Sequence, residues 1–90
     1  MITLTQTQML LKLTTVNDVY KSVQKAYKFE EPVDVKQGLY TVDGKSILGI
    51  FSLNLLEPVL VTFLTHNSHM MTEFYHEMEE FEVDYNPTKG

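Results

Sequence analysis

The sequence predicts a single α+β domain in which three helices cover one face of a four-stranded antiparallel sheet, in the order β-α-β-β-α-β-α. The 90 residues, of which 43% are hydrophobic, can bury one core but not two. Apolar residues recur at helical spacing in two long segments, and shorter segments show the alternation or β-branching of strands. The domain is expected to span residues 1–85, with residues 86–90 as a flexible C-terminal tail.

The first strand is predicted at residues 2–5, where apolar and polar residues alternate. The apolar run at residues 9–13 is predicted to be a connection that adds exposed apolar surface. The helix after it is predicted from apolar residues at offsets of three, four, seven and eleven, namely Val16, Val19, Tyr20, Val23 and Tyr27. Thr15 and Asp18 have the spacing of a capping box, so the helix is expected to begin at Thr15.

Two strands and a short helix are predicted next. Residues 33–36 alternate after Pro32, and Gly38 supplies the positive φ of a hairpin turn into residues 39–42. Ser46 can cap a helix that reaches about residue 54, in which Ile50 and Leu53 are the expected core residues. These features place a hairpin directly before the second helix.

The last strand and the last helix follow Pro58. Residues 59–64 are apolar at nearly every position, which is typical of a buried strand. Asn67 or Ser68 can cap the final helix. Its apolar residues at helical offsets are Met70, Met71, Phe74, Met78 and Phe81. Leu60 and Leu64 lie on the opposite side of the strand from its other apolar residues, so a homodimer through the sheet face or a strand edge is a plausible way to cover them.

The net charge of −5 is unevenly distributed along the chain. Residues 1–45 carry six lysines against five acids, whereas residues 46–90 carry one lysine against seven acids. Nucleic acid is therefore an unexpected partner, because backbone phosphates require clustered basic residues. Every basic residue is a lysine, so no guanidinium can hold a phosphate through two parallel hydrogen bonds. No apolar segment approaches the ~20 residues that span a bilayer, and cytoplasmic residence is the expectation.

The segment 45–53, in which Ser46 leads into a short apolar run, closely resembles the second helix of HPr, the phosphocarrier of the bacterial sugar phosphotransferase system. The resemblance runs without gaps from about residue 15 to the mid-60s, through Val23-Gln24, Lys28-Phe29, Thr41-Val42 and Thr62. It implies the HPr-like open-faced β-sandwich. It also implies that Ser46 is the target of a regulatory kinase.

The resemblance also implies that the phosphocarrier chemistry is missing. The family's phosphorylatable histidine falls on Thr15, and the arginine and proline that accompany it fall on Asn17 and Asp18. The chain is thus similar in logic to the histidine-less HPr paralogues of catabolite repression. A phosphate on Thr15 would meet the charge of Asp18 within one turn, so structural capping is the favoured interpretation of Thr15.

The resemblance places a partner-binding surface on Ile47, Leu48 and Phe51, and Tyr20, an aromatic residue with a polar tip, can extend this surface. The expected function is a bacterial, non-enzymatic regulatory module that binds other proteins without histidine phosphocarrier activity and is controlled at Ser46. Expected partners are phosphotransferase components, an HPr kinase or a transcriptional regulator. The alternative function is a phosphocarrier of the phosphoenolpyruvate-dependent phosphotransferase system. No cofactor is expected.

A weaker alternative is a small metal-binding protein. His69, Glu73 and His76 recur at offsets of four and seven, a spacing that can place three ligands on one helical face. Histidines and glutamates on a solvated helix face are the commoner case, so the expected interpretation is that no metal is bound.

Overall fold

The structure is a computed structural model and describes residues 5–83. Its sheet contains β1 (Thr5–Leu11), β2 (Val33–Gln37), β3 (Tyr40–Asp43) and β4 (Val59–Thr65). Its helices are α1 (Val16–Ala26), α2 (Ile47–Phe51) and α3 (Ser68–Met78), and α3 continues into a 3₁₀ turn at Glu79–Phe81. The strands lie in the order β1-β4-β2-β3, and every neighbouring pair is antiparallel. The predicted α+β open-faced sandwich is confirmed.

The helices cover one face of the sheet, and apolar side chains of the strands are buried on this face. Val33 and Val35 of β2 and Val59, Val61 and Phe63 of β4 all point into the core. The core continues into the helices and the connections through a group of buried residues: Leu13, Val19, Val23, Ala26, Phe29, Ile50, Leu53, Phe74, Met78 and Phe81. The burial of Ile50 and Leu53 confirms their predicted place in the core.

The prediction for the first strand was wrong in its position. β1 runs from Thr5 to Leu11, so Met9 and Leu11 belong to a strand and not to a connection. Met9 pairs with Val61 and Leu11 with Val59, and both side chains are buried by this register. The other three residues of the predicted strand, 2–4, lie outside the described residues, as does the predicted tail at 86–90.

Helix α1 begins as predicted but buries a different face. Its buried residues are Val19, Ser22, Val23 and Ala26. Ser22 and Ala26 have small side chains, and the Ser22 hydroxyl donates to the carbonyl of Val19 at 2.9 Å. The aromatic and β-branched residues of the predicted stripe, Val16, Tyr20 and Tyr27, are therefore exposed beside the buried face.

The Gln37 side chain joins the β2–β3 hairpin to the connection after α2. The amide nitrogen of Gln37 donates to the carbonyl of Asn54 at 2.7 Å, and its amide oxygen accepts from the N–H of Asn54 at 2.8 Å. Gly38, with φ 59°, supplies the predicted positive-φ turn beside it. Gln37 thus fixes the β2–β3 hairpin to the segment that follows α2.

Candidate functional site

The N-terminus of α1 is closed by a complete capping box. The Thr15 hydroxyl accepts from the Asp18 N–H at 3.0 Å. The Asp18 carboxylate accepts from the N–H groups of Thr14 and Thr15 at 3.1 and 3.2 Å. The dipole of a helix favours a negative charge at this end, and Asp18 supplies it. The end of the helix is consequently occupied by a charge of the chain itself.

The cations nearest to this helix end are engaged elsewhere. The Lys12 ammonium donates to the carbonyl of Leu56. The Lys21 ammonium pairs with Glu80 at 2.8 Å. Asn17, in the first turn, is exposed and uncharged. The geometry around Thr15 therefore stabilises a helix and provides no positive charge directed at a phosphate.

Ser46 is the N-cap residue of α2, as its sequence context predicts. Its Oγ accepts from the N–H of Gly49 at 3.0 Å, and the side chain is half-buried. The neighbouring Lys45 does not point at the hydroxyl, because its ammonium donates to the carbonyl of Phe29 at 2.6 Å. The Lys45 N–H donates to the Asp43 carboxylate at 2.9 Å. The oxygen of Ser46 that a kinase would phosphorylate already contacts a backbone N–H of the helix.

Two glycines give α2 its place against the hairpin. A Cβ at Gly44 would lie 2.5 Å from Val33 Cγ1 and 3.1 Å from the Val33 carbonyl oxygen, so a side chain has no room there. A Cβ at Gly49 would lie 3.1 Å from the Ser46 hydroxyl oxygen and 3.2 Å from Val42 Cβ. The close approach of Val33 at Gly44 requires a residue without a side chain at this position.

An apolar patch connects α1 and α2, and it includes three of the four predicted partner-binding residues. The rings of Tyr20 and Phe51 meet edge to face with centroids 6.2 Å apart. Tyr20 is 46% exposed, Phe51 37% and Leu48 82%. We call Tyr20, Leu48 and Phe51 the helix patch. Ile47, the fourth predicted residue, is half-buried and packs partly against the core.

Sequence reasoning missed two exposed apolar residues near the helix patch. Val16 lies one turn before Tyr20 on α1 and is exposed. Leu56 follows α2 and is exposed, and the Lys12 hydrogen bond ties its carbonyl to the start of α1. The helical spacing predicts Val16 as part of the buried stripe, and Leu56 lies in a loop where no periodic pattern gives a signal. Residues 9–13 do not extend this patch as predicted, because Met9, Leu11 and Leu13 are buried. The exposed residue of this segment, Leu10, lies on the open face of the sheet.

The predicted histidine site is not assembled. His69 Nε2 lies 3.7 Å from Glu73 Oε1, whereas His76 Nδ1 lies 3.7 Å from Glu79 Oε1. An offset of seven residues separates His69 and His76 by about 10 Å along the helix axis, which is too far for one ion. Residues 5–83 contain no group of three histidine, cysteine, aspartate or glutamate side chains that could hold a metal.

Lysines of α1 and its C-terminal connection pair with glutamates of α3 and the turn after it. Lys25 lies 3.4 Å from Glu77 and 3.2 Å from Glu80, and Lys28 lies 3.0 Å from Glu77. Lys28 lowers the pKa of Glu77, and Lys21 lowers the pKa of Glu80. The hydrogen bond to Glu80 raises the pKa of Lys25. This charge network joins the two helices on the side away from the sheet.

The charge network predicts a loss of stability in acid. A depressed pKa means that Glu77 stabilises the fold above the ordinary value of 4.5, and that this stabilisation is lost as pH falls through the folded value. We expect Glu77→Gln to lower the free energy of unfolding by less than about 1 kcal/mol at neutral pH. The difference from wild type should shrink below pH 4.5 in urea unfolding experiments. The exposed Glu30→Gln is the control, and a difference independent of pH would contradict the prediction.

The comparisons with known proteins identify the fold. No protein-family model and no curated protein sequence matches the chain. Among solved structures it is similar to phosphocarrier protein HPr from Bacillus anthracis str. Ames, with 19% identity, 83% of this chain and 96% of that chain covered, and a TM-score of 0.60. It is also similar to HPr-C-His from Thermoanaerobacter tengcongensis, with 23% identity, 84% and 92% of the two chains covered, and a TM-score of 0.62.

These similarities establish an HPr-like fold. The matched region extends over most of both chains, so the open-faced sandwich is that of HPr as a whole and not of one motif. None of the helices within residues 5–83 has the length and hydropathy needed to cross a membrane.

Proposed function

We propose that this chain is an HPr-like regulatory module that binds other proteins and does not carry phosphate on Thr15. The observation that carries the proposal is the closed N-terminus of α1, where the Asp18 carboxylate occupies the place that an anion would take. The exposed helix patch lies beside it. Phosphorylation of Ser46 regulates binding at that patch, and the cytoplasm is the compartment in which such a role is exercised.

Thr15 is a poor phosphate carrier for chemical reasons. A threonine hydroxyl needs an activating base or a lowered pKa before it becomes a nucleophile. The nearest carboxylate, that of Asp18, is bound to backbone N–H groups, and the Thr15 oxygen itself accepts from one. A phosphate on Thr15 would break the capping box and add negative charge beside Asp18, which like-charge repulsion disfavours.

The helix patch has the composition of a protein interface. Aromatic residues with a polar tip, such as Tyr20, are enriched in interfaces because one end of the side chain is apolar and the other is hydrated. Leu48 projects almost fully into solvent although a leucine gains by burial. A partner that covered Leu48 and Phe51 together would gain a contiguous apolar contact. Phosphotransferase components, an HPr kinase and a transcriptional regulator are the proposed partners.

Ser46 is the proposed control point of this patch. A phosphate on its Oγ would replace the hydrogen bond from the Gly49 N–H with stronger, charge-assisted bonds to the start of α2. Leu48 is only two residues away, so the added charge would border the apolar surface. A partner that covered the apolar patch would have to desolvate this charge, which costs binding free energy unless the partner supplied a basic group.

The second candidate function is a phosphocarrier of the phosphoenolpyruvate-dependent sugar phosphotransferase system. The similarity in fold to a solved HPr phosphocarrier favours it. This function requires transfer through a residue other than Thr15. His66 and His69, exposed around the start of α3, are the residues with suitable chemistry.

Intact-mass measurement after two separate incubations distinguishes these functions. With the phosphotransferase enzyme and phosphoenolpyruvate, we expect no added phosphate. With HPr kinase and ATP, we expect one phosphate, which is lost in Ser46→Ala and retained in Ser52→Ala, a control at the other end of α2. Phosphate gained from phosphoenolpyruvate would replace the proposal with the carrier function. No gain from ATP would contradict regulation at Ser46.

A further inference from the structure

The two edges of the sheet differ in how they are protected. The edge strand β3 has four residues and ends in the charged Asp43. The opposite edge strand, β1, has seven residues, and none of them is charged, proline or glycine. Natural proteins usually protect long edge strands with charges, prolines or bulges, because unpaired N–H and C=O groups attract other strands. β1 lacks these protections although the whole chain has a net charge of −5.

Part of the β1 edge is already paired. The Lys12 N–H donates to the Phe81 carbonyl at 2.8 Å, and the Val83 N–H donates to the Leu10 carbonyl at 2.8 Å. These bonds show that even-numbered residues of β1 direct their backbone groups away from β4. The backbone groups of Gln6 and Gln8 therefore face the same edge. Within the described residues, the pairing with Phe81–Val83 ends before it reaches them.

The same strand contains a buried hydroxyl group without a partner. The Oγ1 of Thr7 is inaccessible to solvent and makes no hydrogen bond within the described residues. Thr7 lies midway between Gln6 and Gln8, and its side chain is on the face that the helices cover, as are those of Met9 and Leu11. A buried hydroxyl that lacks a hydrogen bond costs about 1–3 kcal/mol, so the site is incomplete as it stands.

We propose that residues 6–8 of β1, which lie beyond the pairing with Phe81–Val83 within the described residues, pair with β1 of a second copy of this chain, antiparallel and about a two-fold axis at Thr7. In this register Gln6 lies opposite Gln8 of the second copy. The N–H of each donates to the carbonyl of the other, because both direct their backbone groups outward. The two Thr7 residues lie opposite each other without backbone hydrogen bonds between them, at a Cα–Cα distance of about 4.5 Å. This distance is shorter than that of a backbone-bonded pair, so one Thr7 hydroxyl can donate to the other.

A second copy fits this edge better than a different partner does. A two-fold interface is self-complementary, and the same residue supplies both the unpaired hydroxyl and its partner. An uncharged strand also brings no like charges together when two molecules of net charge −5 meet. The paired segment is short, so the dimer is expected to be weak and to form at high micromolar concentration. The proposal is independent of the proposed function.

Sedimentation equilibrium tests the proposal with a proline placed at the edge. Gln8→Pro removes an N–H that faces away from β4, so it costs no hydrogen bond inside the sheet. It should weaken dimerisation by about thirtyfold or more, because two symmetric hydrogen bonds are lost. Thr41→Pro is the matched control on the β3 edge and should leave the dimer unchanged. A wild-type protein that stays monomeric, or a dimer that survives Gln8→Pro, would overturn the proposal.

A second variant tests the same pairing without a proline, in case Gln8→Pro disturbs folding. Thr7→Val keeps the shape of the side chain and removes the hydroxyl. It should leave the melting temperature at low concentration unchanged or higher, since the hydroxyl has no partner there. It should also weaken dimerisation roughly fivefold, the equivalent of one hydrogen bond. A dimerisation constant unchanged by Thr7→Val would place the two-fold axis elsewhere and refute this register.

Discussion

Replacing Phe74 by alanine is expected to lower the free energy of unfolding by about 3–5 kcal/mol. Phe74 of α3 is fully buried and stacks on Phe63 of β4 with centroids 4.3 Å apart and an interplanar angle of 5°. Phe29, in the connection after α1, meets both rings edge to face at 5.2 and 5.4 Å. One side chain therefore holds together elements from three parts of the chain, and alanine would leave a cavity among them. Urea unfolding followed by circular dichroism measures the loss.

The adjacent residue provides the control for this prediction. Tyr75 is on the accessible side of α3, and its hydroxyl donates to the Glu82 carboxylate at 3.1 Å. Tyr75→Ala should cost about 1 kcal/mol or less, since surface substitutions have small effects. Equal losses for the two variants would show that the aromatic cluster is not the centre of the core.

Replacing Leu48 by aspartate is expected to weaken binding of a protein partner by about thirtyfold or more, with little change in stability. Leu48 is 82% exposed, so its side chain contributes little to folding and is free to enter a partner. A carboxylate in its place would have to be desolvated on binding. Calorimetric titration with HPr kinase, the partner proposed to act on Ser46, measures the change in affinity.

Leu39 provides the matched control for Leu48. It is a fully exposed leucine at the tip of the β2–β3 hairpin, outside the helix patch. Leu39→Asp introduces the same charge and should leave the affinity unchanged. Phe51→Ala separates the two roles of a partly exposed aromatic: unchanged binding with a large loss of stability would assign Phe51 to the core. Equal losses of affinity for the Leu39 and Leu48 variants would mean that the effect is one of net charge.

Local signals in the sequence were sufficient for much of the fold. The capping box at Thr15 and Asp18, the glycine turn at Gly38 and the alternation of β2 each depend on neighbouring residues, and all are present. The position of β1 could not be obtained in this way. Residues 9–11 are all apolar, so the sequence shows no alternation there. Leu10 nevertheless lies on the open face of the sheet and is 41% exposed. Only the register with β4 reveals which of them are buried.

That the residues of the candidate site bind a partner stays a prediction, and the sequence did not predict how they are arranged. The resemblance of the sequence to HPr indicated Leu48 and Phe51, and the polar tip of an aromatic side chain indicated Tyr20; the structure exposes all three. Ile47, which the resemblance also indicated, is half-buried. That Tyr20 touches Phe51 depends on how α1 packs against α2. The buried face of α1 includes the small residues Ser22 and Ala26. A helix face predicted from apolar spacing includes aromatic and branched residues and omits serine and alanine. The buried face of α1 is therefore shifted from the predicted one, although both include Val19 and Val23.

The order of the strands governs what the chain can do while it is being synthesised. β4 lies between β1 and β2, so residues 5–11 and 33–37 pair across the sheet only through residues 59–65. A nascent chain emerges from the ribosome with its N-terminus first, and until β4 emerges only the β2–β3 hairpin and the local helices can form. Met9 and Leu11 remain uncovered during this interval. A nascent chain that ends before residue 59 therefore cannot complete the sheet and leaves these apolar side chains exposed to solvent.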